Sequence, residues 1–164
     1  MFRRLFLPMI VFALAASVAS AQEKTNFSGT WKLNVEKSEF GPIPAPSTAT
    51  QVIEQKESDF KCTYDTATDE GKDHTVLTFT ADGKEVTVPA DSPNAHQGQF
   101  NLQTIKADWD GPSLIVTETG AYSGMDVHSK RTYSLSADGK VLTIALHLTL
   151  SMGDLDLKWV YDKQ

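Results

Sequence analysis

The chain has 164 residues, with 21 Asp and Glu against 15 Lys and Arg, and a formal charge of −6. That acidic balance disfavours nucleic acid and anionic membrane surfaces as partners. A single cysteine, Cys62, excludes an internal disulfide, and the length suits one domain with a real core.

The chain opens with a leader. Arg3 and Arg4 are followed by an apolar run from Leu5 to Ala16, broken by Pro8, and then by the small-x-small site Ala19-Ser20-Ala21. This pattern predicts a signal peptide over residues 1–21, cleaved near Ala21, and export to a periplasmic or extracellular space. The apolar run is short for a membrane span, and no membrane insertion is expected once it is removed. Loss of Arg3 and Arg4 leaves 13 basic against 21 acidic residues, a charge of −8. Residues 22–164 read as one domain.

The first alternating stretch is Phe27-Ser28-Gly29-Thr30-Trp31-Lys32-Leu33, with Phe27, Trp31 and Leu33 on one face. It reads as a strand. Residues 34–47 carry Pro42, Pro44 and Pro46, which rule out a regular helix and favour a stiff, extended crossing. From Thr48 onward, short runs of β-branched and aromatic residues alternate with turn residues. Strands are predicted near 48–56, 59–66, 73–81, 84–90, 99–109, 112–120, 125–137, 140–151 and 154–162, about ten with the first. Residues 91–98 read as a polar loop. No segment has a helical apolar period.

Asp-Gly at the centre of a two-residue loop suits the tight hairpin turn. Centring turns on Asp82-Gly83, Asp110-Gly111 and Asp138-Gly139 sets Phe79 opposite Val86, Ala107 opposite Leu114 and Leu135 opposite Leu142. A turn at Met152-Gly153 sets Leu150 opposite Leu155 and Leu146 opposite Trp159. Apolar side chains meet in nearly every row, and a one-residue slip would reverse each face. The result is an all-β, antiparallel up-and-down meander of about ten strands. Without helices to cover its apolar face, the meander is expected to close into a barrel.

The FSGTWKLN segment resembles the opening strand of the calycins, the lipocalins and fatty-acid-binding proteins, whose G-x-W motif matches Gly29, Thr30 and Trp31. The resemblance implies a lipocalin-like barrel with Gly29 and Trp31 closing one end. The closing residues 158–163 resemble the end of the fatty-acid-binding barrels loosely. The GTWKLN opening and SxDGK hairpins also resemble a group of small exported bacterial proteins of uncharacterised function. Two features depart from the calycin pattern. A proline loop stands where fatty-acid-binding proteins have a helix pair, and the last strand carries Lys158 where lipocalins have an arginine near the barrel end.

The register places Arg131 and Tyr133 on the inner face with Leu146, and with Trp159 next in the row. A buried guanidinium needs a partner. One reading is a bound carboxylate held by Arg131 and Tyr133, similar to the Arg-x-Tyr pair of the fatty-acid-binding proteins, though theirs lies on the last strand. The other is a structural stack of Arg131 on Trp159 or Trp31. Together with Leu146 and Tyr161, these residues form the candidate ligand wall.

His74, His128 and His147 are expected to face outward and His96 to lie in a loop, so no metal site or cofactor is expected. Cys62 alternates with Phe60 and Tyr64 and reads as buried. Glu118 is expected opposite Gln103. Gly-x-Ser-x-Gly is absent, inward carboxylate pairs are not evident, and no catalytic residue is assigned. The expected role is therefore binding of a small hydrophobic or amphipathic molecule inside the barrel, a carboxylate-bearing lipid included. The alternative is an interaction module whose barrel is filled by its own side chains and whose contacts lie on loops.

Overall fold

The computed structural model describes residues 24–69 and 71–164; the leader expected over residues 1–21 lies outside them. Among the described residues the chain forms β1 (Gly29–Leu33), β2 (Thr48–Lys56), β3 (Asp59–Thr68), β4 (Gly71–Thr80), β5 (Glu85–Thr87), β6 (His96–Gln97), β7 (Phe100–Asp110), β8 (Ser113–Tyr122), β9 (Met125–Leu135), β10 (Val141–Leu150) and β11 (Gly153–Lys163). The one helical element described is a single 3-10 turn, Val35–Lys37, capped by the Asn34 side chain. All ladders are antiparallel. The sheet order is β4-β3-β2-β1-β11-β10-β9-β8-β7-β5, with β6 on β7. The predicted meander is thus present, curled into a half-barrel.

The third hairpin has the expected register, with Leu142 opposite Leu135, Ile144 opposite Tyr133 and Leu146 opposite Arg131. Asp138 shapes that turn by accepting from the Lys140 amide at 3.1 Å and the Ser136 hydroxyl at 2.6 Å. Three other turns differ from expectation. In β7–β8 the two-residue loop is Gly111-Pro112, so Ala107 faces Val116 and Glu118 faces Ile105. The expected register would have paired Pro112 with Trp109, and proline has no N–H to give a ladder. In β10–β11 the loop is Ser151-Met152, so Leu148 faces Leu155, Leu146 faces Leu157 and Trp159 faces Ile144. That two-residue slip keeps every side chain on its face, because leucine and isoleucine recur at every second position from 142 to 150.

The third difference defines the seam. Asp82-Gly83 does not turn a hairpin: β5 pairs with β7, Val86 against Ile105, and β4 pairs with β3. Asp82 bonds the Lys84 amide and ammonium within its own turn, and the Gly83 amide reaches Ala107 O at 2.9 Å. The chain is thereby carried off β4. No ladder joins β4 to β5. Instead, side-chain amides bridge the edge. Asn94 Oδ1 accepts from the Thr78 amide at 3.0 Å, Asn94 Nδ2 donates to Thr78 O at 2.8 Å, and Gln97 Nε2 donates to Val76 O at 3.1 Å. Pro89 and Pro93 flank Ser92 in the segment that carries Asn94, so a regular edge strand is barred there.

The inner face is filled at one end. Phe27 and Trp31 are fully buried, and Phe60 and Phe79 stack at 5.1 Å between ring centroids. Trp109 stacks on Phe27 at 6.0 Å. Burial of each such ring contributes about 1.5–3 kcal/mol. Trp31 Nε1 donates to Phe27 O at 3.0 Å, so its one polar atom is satisfied inside the plug. Gly29 enters the strand at φ +150°, a conformation that side-chain-bearing residues rarely adopt. Gly120 is required for a different reason. A Cβ there would lie 2.2 Å from Asn101 O and 2.7 Å from the Phe100 ring.

Candidate functional site

Above the aromatic plug the interior changes character. The Tyr64 hydroxyl on β3 meets the Tyr133 hydroxyl on β9 at 3.2 Å, across the barrel and with four strands between them in sheet order. On the far side of this bridge lies a cavity of about 340 Å³. Phe40, Ile43, Pro44 and Pro46 of the proline loop roof it, and Tyr64, Arg131, Tyr133, Trp159 and Tyr161 are in its walls. The proline loop is held down by a bridge from Glu39 to Lys158, in which both backbones and both side chains take part. Gly41 lies directly against Leu155 and Leu157.

A broader trough of about 1080 Å³ runs along the seam, lined by Phe60, Phe79 and Val86 but also by Glu54, Lys56, Lys61, Asp82 and Lys84. It reaches buried side chains, Ile53, Val88 and Ile105 among them, but its rim is charged. The smaller cavity has the convergent polar groups and apolar walls that mark ligand sites.

Of the ligand-wall residues expected from sequence, Arg131, Tyr133, Trp159 and Tyr161 line this cavity. Leu146 does not. It is buried beside Arg131 in the ladder, but its other neighbour is Leu157, which the proline loop covers. Gly29 and Trp31 sit at the opposite, filled end.

Within the protein, Arg131 is partnered by Glu118 rather than by the tryptophan expected for a structural stack. Its Nη1 donates to Glu118 Oε1 at 3.2 Å, and the Ser129 hydroxyl donates to Glu118 Oε2 at 2.7 Å. The cations that lie over tryptophans are lysines instead, Lys163 over Trp31 and Lys24 over Trp109. Glu118 is reached because β8 and β9 pair Glu118 with Ser129 and Val116 with Arg131, so the carboxylate lies one diagonal step from the guanidinium. The Ser123-Gly124 turn that fixes this register was the available signal. The glutamate is almost wholly buried, while Arg131 keeps 20% of its side-chain surface accessible.

This polar stripe is held in defined charge states. Burial alone would lower the Arg131 guanidinium, but the Glu118 carboxylate and the two tyrosines hold it above its ordinary value. Burial pushes Tyr133 up to about 12 despite the opposing pull of Arg131, and pushes Tyr64 and Tyr161 up as well. Burial likewise raises Cys62 to about 12, which is inert behaviour for a thiol. Sequence reasoning missed Gln51, which faces Trp31 and Tyr64 in the ladder and is fully buried with neither amide atom bonded. The nitrogens Arg131 Nε and Trp159 Nε1 are buried without a protein partner too.

The histidines point away from the cavity. His74, His96 and His128 are exposed, and His147 pairs with Asp156 at 2.7 Å on the outer face.

No protein-family model and no curated protein sequence matches the chain. Solved structures do. A secretory abundant heat soluble protein from Ramazzottius varieornatus superposes with a TM-score of 0.56 at 13% identity, covering 87% of this chain and 98% of that one. Secretory abundant heat soluble protein 4 from the same organism gives 0.54 at 17% identity, covering 87% and 99%. Zebrafish ileal bile acid-binding protein, complexed with cholic acid, gives 0.51 at 16% identity, covering 84% and 98%. The fold is therefore a calycin-like up-and-down antiparallel sheet, curled into a half-barrel.

Proposed function

We propose that the chain is an exported barrel protein that holds one small hydrophobic or amphipathic molecule in the cavity beneath the proline loop. The observation that carries this reading is the cavity itself. Its walls are aromatic and aliphatic, and a guanidinium and tyrosine hydroxyls stand within it. At about 340 Å³ it lies at the small end of the roughly 300–1000 Å³ typical of ligand sites. One short chain or compact ring system suits it. The cholic acid in the zebrafish structure supports the idea that barrels of this shape accommodate such molecules. Export rests on the leader residues, and the role is binding rather than turnover.

Mass spectrometry of organic extracts of the purified protein, paired with calorimetric titration of short-chain amphiphiles, tests this. Ala49 lines the cavity, so Ala49→Phe is expected to abolish binding while the aromatic plug stays folded. No extracted molecule, together with no heat of binding for any amphiphile, would favour the filled-barrel interaction module. The plug of Phe27, Trp31, Phe60, Phe79 and Trp109 already has that arrangement at one end of the interior.

A further inference from the structure

The charge at the cavity floor decides what kind of head group it accepts. Arg131 is the cation in the cavity wall, and Glu118 already neutralises it from behind at 3.2 Å. Asp73, exposed at the cavity's edge beside Gly98, adds a second carboxylate near the opening. An incoming carboxylate would share one guanidinium with Glu118. In a poorly hydrated interior, like charges gathered around one cation oppose each other strongly. Hydrogen-bond donors are nevertheless in surplus. Glu118 takes one of the five N–H donors of Arg131 and the Tyr133 hydroxyl is placed to take another, while Nε has no partner. Tyr64 and Tyr133 are held as neutral phenols by burial, and they bond each other through one shared contact. A floor with spare donors and no spare positive charge suits a neutral acceptor.

We infer that the cavity selects molecules with an uncharged, hydrogen-bond-accepting head, such as a ketone, ester or alcohol on a short apolar body, and discriminates against carboxylates. This rests on the proposed ligand site and specifies its ligand class. Glu118 is the residue that sets the preference, acting through Arg131 rather than by contact with the ligand.

The test is calorimetric titration at neutral pH of a ten-carbon set: decanol, octyl methyl ketone, decanoate and decylamine. The wild-type protein is expected to bind the alcohol or ketone more tightly than decanoate or decylamine. In Glu118→Gln the guanidinium loses its internal counter-charge. The ratio of decanoate to decanol affinity is then expected to rise by roughly tenfold to a hundredfold, the range of one charge-assisted hydrogen bond. Decanoate or decylamine binding wild type as tightly as the neutral probes would overturn the ligand class and leave the site reading intact. An unchanged ratio in a folded Glu118→Gln would overturn the role of Glu118. No binding of any probe, with nothing extracted from the protein, would remove the site and this inference with it. The wild-type comparison decides the ligand class even if the variant does not fold.

Discussion

Asn94→Ala isolates the seam between β4 and the segment leading into β6. The Asn94 side chain holds the Thr78 amide and carbonyl at 3.0 and 2.8 Å, and the Thr78 hydroxyl approaches Asn94 Oδ1 at 3.2 Å. Thr78 is exposed, so water replaces both bonds once the amide is gone. Each bond then counts toward the low end of the roughly 0.5–1.5 kcal/mol net range, which loosens the seam by about 1–2 kcal/mol. A local opening of that size raises the exchange rate of the Thr78 amide hydrogen about tenfold. The β9–β10 ladder is far from the edge, and its amides are expected to keep their protection. Hydrogen exchange read by NMR separates the two regions. Asn94→Asp keeps the acceptor but turns a carboxylate oxygen toward Thr78 O, and is expected to fall between wild type and Asn94→Ala. Unchanged exchange at Thr78 would refute the claim that side-chain amides close the barrel. A uniform rise in every strand would refute the claim that the seam opens on its own.

Gly120→Ala forces a Cβ to within 2.2 Å of a backbone oxygen. Overpacking of this kind costs about 1–3 kcal/mol, read as a lower urea midpoint with an unchanged slope. Tyr133 and Cys62 are both raised to about 12 from ordinary values of 10.0 and 9.0. The unfolded chain ionises first, so the stabilisation is complete below about pH 9 and is lost as the pH climbs toward 12. Urea midpoints measured across that range are expected to be flat and then to fall, and a midpoint unchanged through pH 12 would contradict it. The same burial predicts that a thiol reagent labels Cys62 only after denaturation; rapid labelling of the native protein would show the thiol to be accessible.

The meander was legible because each strand buries one face, and alternation reports that directly. Register was legible only in part. The β9–β10 pairing follows from Asp138-Gly139, but β10 and β11 present apolar residues at every second position, and a slip of two residues leaves apolar facing apolar. Turn chemistry settles such cases, and Pro112 carried the information for β7–β8 in its missing N–H. Asp82-Gly83 misled for the opposite reason. The same dipeptide that turns a hairpin can also end one strand and send the chain elsewhere, and the proline-bearing segment after β5 decides which. In the site, the inward direction of Arg131 and Tyr133 followed from β9–β10 alone. The Glu118 partner needed the β8–β9 register, set by Ser123-Gly124. Gln51 gave no signal beyond its position between Ala49 and Ile53 on the inner face of β2.

The interior is divided between an aromatic plug at one end and a roofed cavity at the other, with the Tyr64–Tyr133 bridge as the border. The division sets how the protein tolerates change. Most of the large rings that anchor the fold are not the side chains a ligand would touch. Substitutions in the cavity wall can therefore accumulate, and ligand preference can drift, while the plug keeps the chain above its folding threshold. A scan of every substitution scored for folding alone would show this as two zones in one barrel, intolerant from Phe27 through the Phe60–Phe79 stack and permissive around Thr66, Thr75 and Ile43.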